Sequence, residues 1–128
     1  MKRFILSTTL ALFTAVPALA GGSISVEINP SNADEANAIR AGLGIYALAK
    51  ALEGDANILQ NGNGNAAGIG QNGGGNFGVI QQEGNGHEAV LAQNGGGNAY
   101  GIFQFGEGTS SQVSQSGGDT GLLFQFGF

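Results

Sequence analysis

The chain is 128 residues long, carries four Lys and Arg against nine Asp and Glu, and contains no cysteine. That length fits one domain of ordinary size. The missing cysteine excludes a disulfide scaffold, a thiolate metal site and a cysteine nucleophile, and the acidic balance opposes binding to a phosphate backbone, so no nucleic-acid partner is expected. Only 10% of residues are charged, and 25 glycines stand against 2 prolines, which fits neither collagen, nor a Pro-rich linker, nor an average globular domain.

Lys2 and Arg3 lead a mostly apolar run from Phe4 to Val16 that closes on Pro17-Ala18-Leu19-Ala20. A basic start, a short apolar stretch and a small-x-small end form the secretory signal pattern, so residues 1–20 are read as a signal peptide cleaved after Ala20. The run falls short of the roughly 20 residues that a membrane-spanning helix needs. Cleavage would leave Arg40 and Lys50 as the remaining cations and a net charge of −7.

Residues 21–53 read as a short strand followed by a helix. Ser23 to Asn29 alternates polar and apolar and is closed by Pro30, the pattern of a strand with one buried face. Asn32 precedes Glu35 by three residues, a capping-box spacing, and Asp34 and Glu35 suit the positive end of a helix dipole. The predicted helix runs from about 33 to 52, with Ile39, Leu43, Tyr46 and Lys50 on one side and Ile45, Leu48 and Leu52 beside them. Gly42 and Gly44 weaken it. A lipid-binding helix would carry a more basic polar face, which favours a packing or capping element.

From residue 54 the chain repeats every eleven residues. Gln recurs at 60, 71, 82, 93, 104 and 115, and two residues after each comes Gly62, Gly73, Gly84, Gly95, Gly106 or Gly117. Four after comes Gly64, Gly75, Gly86, Gly97 and Gly108, until Asp119 breaks the column. Five after comes Asn65, Asn76, His87, Asn98, Thr109 and Thr120. Nine after is always apolar: Ile69, Ile80, Leu91, Ile102, Val113 and Phe124. Such a period marks a stacked repeat architecture.

Each unit is a strand plus a turn. Alternate residues of a strand share a face, so Asn65, Ala67, Ile69 and Gln71 point one way, and the glycines of the intervening Gln-x-Gly-x-Gly-Asn corner permit the positive φ of a tight reversal. Two units make one circuit, with circuits beginning at residues 54, 76, 98 and 120. The fold class expected for 54–128 is therefore all-β, a two-sheet β-solenoid of eleven-residue half-repeats, preceded by the short strand and helix. Ile58, Ile80, Ile102 and Phe124 form the expected apolar seam of one sheet, and Ile69, Leu91 and Val113 that of the other. The glutamines, with Asn65, Asn76, His87 and Asn98, form polar stacking ladders, tolerable inside only if every member finds a partner. Glu83, Glu107 and Asp119 are placed in turns, and Asp55 and Glu88 on outward positions. The strand from Thr120 to Phe128 is uncharged, apolar and, on this reading, uncapped, which makes it an exposed edge suited to pairing with another chain. Residues 21–53 could cover an edge or a sheet face.

Enzymatic activity is not expected, because the titratable groups of the repeats are dispersed rather than convergent. His87 has no acid in its own column and reads better as a satisfied ladder member than as a base. No cofactor or metal is expected: calcium-binding β-rolls use a nine-residue unit with a recurring Asp, and Gln cannot replace those carboxylates. A monomeric solenoid that binds a ligand would display a regular outward array, whereas one outward column here reads Ala66, Phe77, Glu88, Ala99, Ser110 and Gly121; that class remains the weaker alternative.

The repeat resembles that of the curlins, the secreted subunits of bacterial curli amyloid fibres, whose pattern is Ser-x5-Gln-x-Gly-x-Gly-Asn-x-Ala-x3-Gln. The first copy matches at Gln60, Gly62, Gly64, Asn65, Ala67 and Gln71, with Gly54 in place of Ser. The second keeps Gln82, Gly84, Gly86, Ala89 and Gln93, with His87 for Asn; the third keeps Gln104, Gly106, Gly108 and Gln115; the last half-copy has Phe126 where Gln is expected. The resemblance spans residues 54–128. It implies a secreted, extracellular fibre (fimbrium) subunit that self-assembles for cell adhesion and biofilm matrix, with a nucleator and an outer-membrane secretion channel as partners. The fibre subunit is the closer role, since nucleator repeats tend to carry basic residues and 54–128 contains none.

Overall fold

The computed structural model describes residues 22–50 and 54–128; the expected signal peptide, and Ala51 and Leu52 at the end of the predicted helix, lie outside the described residues. In chain order the elements are β1 (Ser23–Ile28), α1 (Ala33–Ala49), β2 (Ala56–Asn61), β3 (Ala66–Asn72), β4 (Phe77–Asn85), β5 (Glu88–Asn94), β6 (Ala99–Glu107), β7 (Ser110–Ser116) and β8 (Thr120–Gly127). Strands β2 to β8 wind into a β-solenoid. Even-numbered strands form one parallel sheet and β3, β5 and β7 the other, with Ile58 on Ile80 on Ile102 and Ile69 on Leu91 on Val113. Rungs in such a stack lie about 4.8 Å apart.

The alternation along each strand divides the apolar residues between two clusters. Inside the solenoid, Ile80, Ala89, Leu91, Tyr100, Ile102 and Leu123 are buried, flanked by Ala67, Ile69 and Val113. Tyr100 fits there because its neighbours above and below in the column are Gly78 and Gly121; a Cβ at Gly121 would strike its ring. The second cluster lies outside, where Val79, Ala99 and Phe103 meet Leu43 of α1, with Ile39, Tyr46 and Phe124 packed around them.

Helix α1 begins as its sequence dictates. Asn32 Oδ1 accepts the Glu35 backbone N–H at 2.9 Å, and Glu35 reaches back to the N–H and hydroxyl of Ser31 at 2.7 and 2.8 Å, one residue earlier than the usual reciprocal box. The inward stripe is Leu43, which is buried, with the half-buried Ile39 and Tyr46, so the helix is a packing element on the outer face of the larger sheet. Ile45 and Leu48, predicted to flank that stripe, point away and are 68% and 84% exposed. Arg40 fastens the helix to the turns, donating to the carbonyls of Gly97 at 2.7 Å and Gly118 at 3.1 Å.

Two expectations are corrected. The last circuit is one residue short: Gln104 pairs with Gln125, 21 positions on, and Ile102 pairs with Leu123. The turn Gln93-Asn94-Gly95-Gly96-Gly97-Asn98 has its counterpart in Gln115-Ser116-Gly117-Gly118-Asp119, with one glycine fewer. A one-residue slip exchanges the two faces of a strand. Phe124 therefore leaves the inner seam, where Leu123 takes its place, and stacks outside on Phe103 with ring centroids 5.0 Å apart. Phe126 likewise stacks on Phe105, and Gln125 completes the ladder that a strict eleven-residue period would have broken. Thr120, shifted into the Ala99 column, has a buried hydroxyl with no hydrogen-bond partner.

The second correction concerns the edge. The C-terminal strand is not uncapped: β1 lies antiparallel along β8, from Ser23 opposite Gly127 to Ile28 opposite Leu122. Residues 21–53 thus cover both an edge, through β1, and a sheet face, through α1.

The turn glycines generate a test. Gly84 has φ +118, and a Cβ there would collide with the carbonyl oxygen of Gly106 in the next rung, whereas Gly108 has φ +62 and open space around it. Gly108→Ala is expected to cost about 1–2 kcal/mol, the ordinary penalty of left-handed backbone. Gly84→Ala should cost more than that, because backbone must move; equal denaturation midpoints for the two would contradict this close stacking.

Candidate functional site: the amide ladder and the open sheet edges

The solenoid interior contains two columns of glutamine carboxamides. In the larger sheet Gln60 donates to Gln82 at 2.7 Å, Gln82 to Gln104 at 2.8 Å and Gln104 to Gln125 at 2.7 Å. In the smaller, Gln71 donates to Gln93 and Gln93 to Gln115, each at 2.8 Å. Every one of these bonds runs from Nε2 on the N-terminal side to Oε1 on the C-terminal side, so both ladders have the same direction. The second hydrogen of each amide crosses to the other sheet: Gln82 Nε2 reaches the Ala66 carbonyl at 2.9 Å, Gln93 that of Phe77 at 2.9 Å and Gln104 that of Glu88 at 2.8 Å. Gln82, Gln93 and Gln104 are fully buried, and the partners just named account for both hydrogens of each amide.

The Asn65, Asn76 and Asn98 side chains bond to backbone rather than to one another's amides. Asn65 Oδ1 accepts the His87 N–H and Asn76 Oδ1 the Asn98 N–H, both at 3.0 Å, while Asn98 Oδ1 accepts the Asp119 N–H at 2.9 Å. The Nδ2 groups of Asn65 and Asn76 donate to Gly84 and Gly95 carbonyls in the following rung. These side chains therefore pin each turn to the next. His87 is buried, with Nε2 3.0 Å from the Glu83 carbonyl and Nδ1 3.3 Å from the Thr109 nitrogen. The Thr109 hydroxyl also lies 2.8 Å from Nδ1, so both ring nitrogens have partners.

Further side chains contribute. Asn61 and Asn85 donate to Glu83 and Glu107 at 3.1 Å, two pairs within strands β2, β4 and β6 rather than in the turns expected for Glu83 and Glu107. Ser25 of β1 accepts from Gln125 Nε2 at 3.1 Å, and Tyr46 donates to Gln81. The Ser25 and Tyr46 bonds could not be read from an eleven-residue period, since each pairs the repeat with a non-repeating partner, whereas the two Asn–Glu pairs are in step with it. Burial raises the pKa of both tyrosines, with the carboxylates of Glu83 beside Tyr46 and Glu27 beside Tyr100 adding to the effect.

The ends of the stack are unequal. At the N-terminal end β2 and β3 both have free edges, and Ile58 is 42% exposed. At the other end β7 has a free edge while β8 is covered by β1. Among the described residues no group of three or more His, Cys, Asp or Glu side chains could hold a metal ion, and no helix is long and apolar enough to cross a membrane. Comparison of the chain with protein-family models, curated proteins and solved structures finds no match.

Position in the ladder predicts the cost of breaking it. Gln104→Leu would leave Gln125 Oε1 and the Glu88 carbonyl without their donor and remove the acceptor of Gln82, at a cost of about 2–4 kcal/mol in unfolding free energy. Gln60→Leu, at the solvent-facing end, removes only the donor of Gln82 Oε1 and should cost less, about 1 kcal/mol; losses comparable to those of Gln104→Leu in denaturant titration would show that the ladder does not carry the fold. Tyr100 supplies a pH test. Its raised pKa means that folding favours the protonated phenol, so its contribution is complete below the ordinary tyrosine value near 10 and is lost as the pH rises above it. Tyr100→Phe should therefore show a shallower loss of stability between about pH 9.5 and 11 than the parent; identical slopes would contradict the assignment.

Proposed function

We propose that the chain is a secreted structural subunit that polymerises edge to edge, solenoid upon solenoid, into extracellular curlin-like amyloid fibres serving cell adhesion and biofilm matrix. One observation carries the reading. The glutamine ladders run in a single direction and reach open strand edges at β2, β3 and β7, so a second copy could continue them without new chemistry. Unpaired edges of this kind template the addition of further strands, and uncharged amide ladders add to the stability of cross-β stacks. The expected secretory signal and the curlin-like motif agree with an extracellular role, alongside a nucleator and an outer-membrane secretion channel as partners. A minor, nucleating subunit is the related alternative.

A monomeric binding module is the reading from a different class. Two observations favour it: β1 closes one edge, and an apolar cavity of about 600 Å³ lies between α1 and the larger sheet, lined by Val26, Ile39, Leu43, Phe103 and Phe124 among others. Ladder direction speaks for the fibre, because ligand binding in that cavity makes no use of it.

Residues 21–128, diluted from denaturant and followed by thioflavin-T fluorescence and fibre diffraction, test the proposal. Spontaneous fibres with a meridional reflection near 4.7–4.8 Å are expected. A β-rich monomer that stays soluble for days would overturn it in favour of the binding module.

A further inference from the structure

The strands β2 to β8 are odd in number, and the stack ends half a circuit out of step. In the larger sheet β8 lies one rung beyond β6, and nothing beside it continues the smaller sheet past β7 among the described residues. A second copy added in the same orientation meets a conflict. Its β3 on β7 would place its β2 where β8 already sits, and its β2 beyond β8 would leave an empty rung in the smaller sheet. Turning the incoming copy by half a circuit removes the conflict, because both sheets are built from the same eleven-residue unit. Its β2 then lies on β7 and its β3 on β8.

The side chains match in that arrangement. Gln60 follows Gln115 and Gln71 follows Gln125, while Ile58 and Ile69 follow Val113 and Leu123. Hydrogen bonding matches as well. Gln115 and Gln125 have no further glutamine to donate to, and Gln60 and Gln71 accept from none. Donors at one end thus meet acceptors at the other.

Strand β1 occupies the place this junction needs. It pairs with β8 over its whole length, and Ser25 Oγ takes the Gln125 amide hydrogen at 3.1 Å, the bond an incoming Gln71 would accept. Its hold is slight. Ser23, Ile24, Ser25 and Glu27 are exposed, and beyond the backbone ladder its side-chain hydrogen bonds are the Ser25 bond and a 3.4 Å contact between Tyr100 and Glu27. An antiparallel strand bearing serine cannot extend the parallel amide ladder, so β1 terminates what it covers.

We propose that β1 is a removable cap: while it lies on β8 the chain is held as a monomer, and each fibre junction forms when β1 leaves and a second copy, turned by half a circuit, takes its place. The inference rests on the fibre reading above. Growth at either fibre end requires β8 to be bare, whether in the copy at the tip or in the copy arriving.

Because the sequence has no cysteine, the cap can be locked. Ile24 and Phe126 face each other across the β1–β8 pair, and antiparallel partners lie within the Cα range of a disulfide. In residues 21–128, Ile24→Cys with Phe126→Cys should elongate parent-seeded fibres at least about tenfold more slowly when oxidised than when reduced, since a covalent β1 keeps β8 from the junction. Equal rates in the two redox states would overturn the cap while leaving the fibre reading intact. Absence of fibres from the parent would overturn the fibre reading itself. The half-circuit rotation is read separately, by oxidising assembled fibres of two further variants. Asn61→Cys with Ser116→Cys should link copies into covalent ladders on denaturing gels, and Asn72→Cys with Ser116→Cys should not. The reverse result would establish unrotated stacking and overturn the junction.

Discussion

A buried glutamine in this solenoid ties its own strand to three others. Gln82 accepts from Gln60, donates to Gln104, and sends its second hydrogen to the Ala66 carbonyl in the opposite sheet. Removing that carboxamide from water without partners would be costly; supplied with every partner it can use, it specifies register in a way an aliphatic seam cannot. Ile, Leu and Val would pack almost as well slipped by two residues along the strand, whereas an amide so displaced loses its partners. The apolar columns supply the driving force, and the ladder selects the alignment.

The same requirement explains the irregular last circuit. A strict repeat would have set Phe126 against Gln104 and turned Gln125 outward. Loss of one turn glycine instead brings Gln125 into the ladder and moves Phe124 and Phe126 outward, onto Phe103 and Phe105. The outer face has the apolar cover to receive Phe124, because Leu43 and Tyr46 of α1 pack over that cluster. Thr120, with its unpartnered hydroxyl, is the residue left poorly served by the shift. Helix, shortened turn and terminal strand are thus consequences of one another, and the N-terminal segment closes the end that the ladder leaves open.

Much of this was legible in the residues. The eleven-residue period assigns strands, turns, the two sheets and the inward isoleucines with Leu91 and Val113, but neither Tyr100 nor Leu123, because a two-residue pleat and a positive-φ corner leave little freedom. The cap at Asn32 and the strand from Ser23 were equally readable, being local signals. What could not be read was relational. A single deletion inside a glycine-rich turn looks like a mere substitution until the buried amide decides the register, so the period alone puts Phe124 on the inner face. Nothing in Ser23–Ile28 marks β8 as its partner, since an alternating strand pairs with any edge of matching pattern. Arg40 is one of two cations after the expected cleavage site, yet only the folded turns present the Gly97 and Gly118 carbonyls to it.

Hydrogen exchange of the side-chain carboxamides, followed by NMR on the monomer, tests this account most directly. With both hydrogens of Gln82, Gln93 and Gln104 engaged and the groups fully buried, their exchange should be slower than that of the exposed Asn61 and Asn85 amides by at least about a hundredfold, approaching the global unfolding limit. Exchange of the three at the rate of the surface asparagines would contradict the ladder as the interaction that holds the circuits in register.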